Sequence, residues 1–358
     1  RIHGEALGSP SLPRWRVSLS LSAILFVVNT DYPRRLKNIV WAHRSFAQYT
    51  ASKEQRKAVK ILFWTKTFGS WFEPLASTSS GLISYNGCNV PCLLTRDRTL
   101  VRDVDAVVFH DRDANSDDLP KYRAWGQRWV YWNLEAPPNS ASAQMRRLRD
   151  IFNWTYTYRR DSDAPHPYFF VRPADQRRRK TAAPVIERMK RSKLAVWAAS
   201  NCRATSGRQE FVAELQKHIP VDRYGTCGKL KCPYGPDCLT KFAKTYYFYL
   251  ALENSICLDY VTEKFRDALL YGMVPVVLGN HSVVAPPNSY INALEFGSPK
   301  QLAEFMKAVA SRPSLYKKYF AWRDRYIVEV NAFENHCSLC EALYNARPGD
   351  HKVYNDIV

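Results

Sequence analysis

From Lys60 onward the chain breaks into short apolar runs that end in polar or glycine-bearing loops. Ile61 to Trp64, Ala106 to Phe109 and Trp129 to Trp132 are unbroken apolar runs, the pattern of strands buried on both faces. Phe152 to Tyr158 reads as a further strand. Around Arg172 to Arg191 the texture turns basic and Pro-containing (RPADQRRRK, then ERMKRSK), which marks a domain boundary. Beyond it, Leu194 to Ala199 is a strand followed by a polar loop, Ser200 to Gly207. Phe211, Val212, Leu215 and Ile219 recur at helical spacing, so Arg208 opens a helix. Phe248 to Leu252 is the next strand, ending at Glu253-Asn254. Thr262 is an N-cap for a helix carrying Phe265, Ala268 and Leu269 and closed by Gly272, and Met273 to Leu278 is a third strand. Alternating strands and helices predict βαβ units and a parallel sheet, whose ligands sit at the carboxyl ends of the strands.

At 358 residues the chain is long enough for about two domains. Ten Trp among 13% aromatic residues rule out wholesale disorder. The 52 Lys+Arg against 33 Asp+Glu leave +19, which favours anionic partners without choosing among nucleic acid, acidic membrane and phosphate-bearing substrates. The run Val17 to Val28, behind Arg14 and Arg16, is short for a spanning helix and fits a signal-type or weak signal-anchor segment. The basic stretch from Asp31 to Lys60 reads as a stem. Nine Cys and two sequons, at Asn153 and Asn280, lean towards a secretory lumen.

Arg208 and the cluster Tyr260-Val-Thr-Glu263-Lys264 fall where strand ends meet helix starts. Free N–H groups and the positive end of the dipole suit a phosphate there, and Glu263 suits ribose hydroxyls; generic helices carry such residues as well. Asp161-Ser-Asp163 has the Asp-x-Asp spelling of a divalent-metal site, but the same spelling is common in turns and no third ligand is identifiable. Cys227, Cys232 and Cys238 lack a following His at zinc-ligand spacing, so disulfides are the better reading. Glu135, at a strand end before Ala-Pro-Pro, is a candidate general base or an ordinary loop carboxylate. His110-Asp-Arg112-Asp113 orients a substrate or pins its loop by ion pairs; spacing leaves both open.

RWVYWNLEAPPN (Arg128 to Asn139), FNWTYTYRRDSD (Phe152 to Asp163), FYLALENS (Phe248 to Ser255), YVTEKF (Tyr260 to Phe265) and VPVVLG (Val274 to Gly279) together resemble the α1,3-fucosyltransferases of glycosyltransferase family 10, in the family's order. FHDRD (Phe109 to Asp113), Ser200 to Cys202, the insert Cys227 to Cys238 and the closing CSLC look most like its core-type branch, which modifies the innermost GlcNAc of N-glycans. The Lewis-type branch, acting on lactosamine antennae, is the alternative. Glu135-Ala136-Pro137 stands where the family usually has Glu-Ser-Pro, and Tyr247 replaces a common Lys.

The resemblance implies an α/β, GT-B fold of two Rossmann-like domains facing a cleft: an N-terminal segment and stem (1–59), an acceptor domain (60–175), a GDP-fucose domain (176–345) and a tail (346–358). It implies an inverting transfer with Glu135 as base. Asn254, Tyr260, Glu263 and Lys264 would contact the donor nucleotide with Arg208, and Tyr224 and Arg159 are further donor-site candidates. No essential metal is expected, since side chains and helix dipoles serve the leaving group. The C-terminal segment of a GT-B fold crosses back onto the first domain. Cys337 and Cys340 are therefore expected to pair with Cys88 and Cys92, one each, and the central five to make two bridges and a free thiol. The implied partners are GDP-fucose, a glycoprotein acceptor and, through the anchor, a Golgi membrane with the catalytic part lumenal. A nucleic-acid-binding role for Arg177 to Lys180 and a lectin-like role without transfer are set aside.

Overall fold

Strands rich in β-branched and aromatic residues, buried on both faces, build two parallel sheets in this computed structural model, which describes residues 40–42, 58–140, 146–174, 191–279, 281, 284–346 and 352–355. The Val17 to Val28 run, most of the stem, the basic stretch 175–190 and the sequon residue Asn280 lie outside them. Among the described residues no helix is long and apolar enough to cross a membrane.

In the first half, β1 (Val40–Ala42) pairs in parallel with β6 (Tyr122–Ala124). The main sheet contains β2 (Val59–Phe63), β3 (Ile83–Ser84), β4 (Cys92–Thr95), β5 (Ala106–His110), β7 (Arg128–Asn133) and β8 (Trp154–Thr157), in the order β3-β4-β2-β5-β7-β8. All its pairings are parallel except β3 with β4. β9 (Phe169–Pro173) leaves this half. The second sheet contains β10 (Lys193–Ala198), β11 (Val221–Tyr224), β12 (Tyr246–Leu250), β13 (Val274–Val277) and β14 (Ile291–Asn292), in the parallel order β11-β10-β12-β13-β14. β15 (Tyr326–Val330) returns antiparallel to β9.

Leaving out the edge strand β3, both sheets follow one rule. The first strand of each unit lies beside the second on one side and the third on the other, so strand order reverses between the first and third. These switch points are β2/β5 and β10/β12, and the loops after those strands frame the crevices where such sheets take ligands.

The helices are α1 (Arg208–Leu215), α2 (Pro236–Thr245), α3 (Glu263–Tyr271), α4 (Pro299–Ser311), α5 (Pro313–Lys318) and α6 (Cys337–Asn345). Thr262 caps α3 by accepting from the Lys264 amide, and Gly272 ends it at φ 80°, as the sequence led one to expect. Val212, Leu215, Leu302 and Met306 pack one face of the second sheet, and Phe242, Phe265 and Leu269 pack the other.

The chain exchanges segments between the two cores, which shifts the expected boundaries. Phe169 of β9 lies before residue 175 yet belongs to the second core. Leu339 and Cys340 of α6 lie before residue 345 yet are buried in the first core with Phe63 and Trp132. Bridges Cys88–Cys337 and Cys92–Cys340 fasten α6 there, with Cα separations of 5.1 and 5.9 Å. Cys202–Cys227 and Cys232–Cys238 take four of the central cysteines and leave Cys257 a free thiol. The two crossings are laced together. The Asn331 amide donates to the Tyr168 carbonyl (3.2 Å) and Asn331 Nδ2 to Pro167 (2.7 Å). Beside them the Tyr156 hydroxyl joins the rings of His166 and His336.

One sequon is corrected. Asn153 is 6% exposed, and its Oδ1 accepts the Trp129 amide at 2.7 Å, closing the start of β7 against β8. Thr155 Oγ1 is committed to Asp163. The folded chain offers no glycosylation site at Asn153.

Candidate active site

Glu135 follows the carboxyl end of β7 on a turn braced from below. Its amide donates to Asn133 Oδ1 (2.8 Å), Asn133 Nδ2 donates to Tyr131 Oη (2.9 Å) and Ser140 Oγ (2.7 Å), and Tyr131 Oη donates to the buried Asp111 (3.0 Å). The carbonyl just before it, Leu134, accepts from Tyr168 Oη at 2.8 Å. Its half-buried carboxylate accepts no hydrogen bond among the described residues. Burial pushes its pKa above the usual carboxylate value, while Arg112 and Lys264 pull it back. Lys264 is the first cation met on the second half, so the two strand ends share one electrostatic environment.

The loop after β12 and the start of α3 form a buried charge cluster. Glu253, 6% exposed, accepts from the Thr262 amide (2.8 Å) and from Thr262 Oγ1, and lies 3.4 Å from Lys264 Nζ. Lys264 Nζ also donates to Thr262 Oγ1 (2.9 Å) and Glu263 Oε1 (2.8 Å). Burial on its own would lower the Lys264 pKa, but Glu253 and Glu263 outweigh it and hold the ammonium charged. Burial raises Glu253, whereas Lys264 outweighs burial at Glu263 and lowers it. The result is one cation held between two carboxylates at a helix N-terminus.

Tyr260 packs edge-to-face on Tyr158 (4.9 Å) beside Leu134 and Ala136, joining the Glu135 turn to the second half. Asn139 Nδ2 reaches Ser255 Oγ (3.3 Å), and the Arg160 amide reaches Asp259 (3.1 Å). Asn254 Oδ1 is buried and accepts no hydrogen bond among the described residues. Glu135, Asn254, Tyr260, Glu263 and Lys264 are thus brought together.

Other candidates are spent otherwise. Arg208, 2% exposed, donates to the carbonyls of Leu252 (2.8 Å) and Asn201 (2.7 Å), so it ties the β10 and β12 loops together instead of standing open. Tyr224 lies in the second core against Phe242, its hydroxyl 3.3 Å from that of Tyr246. Arg159 pairs with Asp161 at 2.6 Å on the rim. Asp163 accepts from Thr155 and from Tyr354 Oη and pairs with Lys352. Among the described residues no group of three His, Cys, Asp or Glu is placed to hold a metal. Sequence reasoning passed over Glu253 and Tyr168. Only Glu253 carried a signal, its position at a strand end nine residues before the Thr262 cap.

Two family models match the chain: "Fucosyltransferase, N-terminal" over residues 56–169 and "Glycosyltransferase family 10 (fucosyltransferase) C-term" over 188–358. Bovine (Bos taurus) alpha-(1,3)-fucosyltransferase 7 is 39% identical over 277 residues, covering 74% of this chain and 76% of the relative. Rat (Rattus norvegicus) 4-galactosyl-N-acetylglucosaminide 3-alpha-L-fucosyltransferase 9 is 36% identical over 291 residues, covering 78% and 76%. A crystal structure of an α1,3-fucosyltransferase shares the fold at TM-score 0.50 and 15% identity, covering 87% of this chain and 95% of that one.

Neither of these relatives points to the core-type branch. The features behind that expectation do structural duty: Asp113 of FHDRD holds a neighbouring turn, and the cysteine insert closes a small loop at the start of α2. With two family models in chain order and relatives above one-third identity over most of their length, the chain belongs to glycosyltransferase family 10, the fucosyltransferases.

Proposed function

We propose that this enzyme transfers L-fucose from GDP-β-L-fucose to the 3-hydroxyl of the GlcNAc in a lactosamine, with inversion at the fucose anomeric carbon. The observation that carries the reading is the convergence of Glu135, from the first sheet, on the Glu253–Lys264–Glu263 cluster of the second. The name of the rat relative specifies a 4-galactosyl-N-acetylglucosaminide, which favours a lactosamine over the N-glycan core.

In this reading Glu135 takes the proton as the acceptor oxygen bonds to fucose C1 and the bond from C1 to the GDP oxygen breaks. The ammonium of Lys264 and the positive end of the α3 dipole meet the charge that develops on the departing diphosphate. Glu263 holds ribose hydroxyls, and Asn254 and Tyr260 line the nucleotide. Arg208 acts by holding the two loops of the switch point in register. No metal is required. With Val17 to Val28 as a signal anchor, the catalytic part faces the Golgi lumen, a compartment compatible with four disulfides.

The test is incubation with GDP-fucose and either a lactosamine or an N-glycan exposing its core GlcNAc, with the fucose located by mass spectrometry. Transfer to lactosamine GlcNAc is expected. Transfer to the innermost GlcNAc alone would restore the core-type reading, and no transfer to either would remove the proposal.

A further inference from the structure

The switch point of the first sheet holds a structure that the chemistry above does not use. The loop after β2 is a two-residue hairpin turn: the amides and carbonyls of Thr67 and Ser70 pair both ways (2.8 and 3.1 Å) around Phe68 and Gly69. Both central residues have positive φ, 49° and 79°. That is the type I′ pattern, which Asn-Gly fills at least cost; a phenylalanine there is strained. The residue is also 56% exposed, so neither backbone preference nor burial accounts for it.

The turn is nonetheless held firmly. Asp113, at the end of the loop after β5, accepts the Phe68 amide on Oδ2 (2.8 Å) and the Gly69 amide on Oδ1 (2.7 Å), and its Oδ2 is 2.7 Å from His110 Nδ1. The Phe68 ring meets the buried His110 ring at 4.7 Å and Phe333 at 6.2 Å. Phe333 meets the ring of Trp132, three residues before Glu135, at 4.9 Å and packs against the cluster that contains Leu134 and Ala136. An exposed aromatic, strained and clamped at the switch point, therefore stands one ring away from the Glu135 turn. Strain sustained by surrounding structure at such a place marks function.

We propose that Phe68 is a specificity-determining residue, whose exposed ring seats the apolar face of the outer galactose of the acceptor. The inference rests on the lactosamine reading. A β-galactose presents a continuous patch of C–H groups on one face, while its hydroxyls point away. A flat, immobile ring matches that patch, whereas a polar side chain competes with water for the hydroxyls. GlcNAc goes to the Glu135 end and galactose to the Phe68 end. His110 and Asp113 are positioning residues for the ring.

Phe68→Asn tests this, because Asn tolerates the left-handed backbone and keeps the turn; its melting midpoint should match or exceed that of the native chain. Loss of the stacking contact should raise KM for lactosamine about tenfold. KM for GDP-fucose and activity on free GlcNAc, which lacks the galactose, should be unchanged, and Phe68→Tyr should restore the native lactosamine KM. Saturation-transfer NMR on the native enzyme should place the strongest contacts on the galactose ring. A lactosamine KM within twofold of native in Phe68→Asn, or an equal loss on free GlcNAc, overturns the role of Phe68 while leaving the transfer reading intact. Failure of the native enzyme to use lactosamine removes both.

Discussion

Replacing Lys264 by Met separates what the ammonium does for folding from what it does for the donor. In the native chain Nζ lies 2.8 Å from Glu263 and 3.4 Å from the almost fully buried Glu253. Met keeps the length and removes the charge, leaving two carboxylates facing each other without a cation. Stranding a buried charge typically costs about 3–5 kcal/mol, a fall in melting temperature on the order of 10 °C for a unit of this size. One carboxylate should then hold its proton to higher pH than in the unfolded chain. Its contribution is fully present below the unfolded pKa and is lost as pH rises through the raised folded value, so the variant should be more stable near pH 5 than near pH 8. Adding Glu253→Gln removes the stranded charge but keeps an acceptor for Thr262, and should recover at least half of the loss. GDP affinity should behave differently. A charge-assisted contact is worth about 1.5–3 kcal/mol, so both the single and the double variant should bind GDP about 10- to 100-fold more weakly. Thermal melts across pH, beside calorimetric titration of GDP, supply both readings. If Lys264→Met keeps native GDP affinity, or if Glu253→Gln restores binding along with stability, the cation does not serve the diphosphate.

Glu135→Gln should cost about 10²–10⁴-fold in kcat while GDP binding stays near native, as single-turnover transfer beside calorimetry will show. Arg112 lowers the Glu135 pKa, so Arg112→Ala should move the acidic limb of the rate profile to higher pH. His166 is buried and neutral with its pKa depressed to about 4. Stability should be complete above the unfolded value near 6.5 and fall by about 3 kcal/mol as pH drops from there to 4, and denaturant melts that stay flat across that window would contradict the buried neutral ring. Removing either Cys88–Cys337 or Cys92–Cys340 should cost about 2 kcal/mol, because the other still closes the loop; removing both should cost about 5 kcal/mol more, so additive losses would count against the shared loop. Asn153 should be unglycosylated by peptide mapping, and Asn153→Leu should cost about 1–3 kcal/mol by stranding the Trp129 amide. EDTA should leave most of the transfer activity intact.

The central strands of both sheets were legible because burial on two faces writes a continuous apolar run, as at Ala106 to Phe109 and Met273 to Leu278, whereas β3, β4 and β14 went unread. The α3 boundary was legible because Thr262 and Gly272 are chemically distinctive at those positions. What depends on distant partners was not. β9 and β15 are joined across more than 150 residues, and nothing near Phe169 announces Tyr326. Arg208 reads as an anion ligand by residue type, but whether a guanidinium meets a phosphate or a carbonyl is decided by the loop opposite. The sequon at Asn153 is spelled correctly and carries no information about burial, which here comes from β7. Phe68 went unnoticed because an aromatic before a glycine is unremarkable until its φ and exposure are known.

The paired bridges to α6 also set a clock on biosynthesis. Cys88 and Cys337 are 249 positions apart, and Cys92 and Cys340 are 248 apart. At about 5–20 residues per second the ribosome needs roughly 10–50 s to deliver the second cysteine of each pair. Throughout that interval the first half lacks Leu339 and Cys340 from its core and carries two thiols only four positions apart. The bridges of the second half span 25 and 6 positions and can close within that wait. The half synthesised first is therefore the half finished last, and its thiols must be kept from pairing with each other until α6 arrives. Chaperones and disulfide isomerases acting on the nascent chain would have to guard residues 88–92 above all.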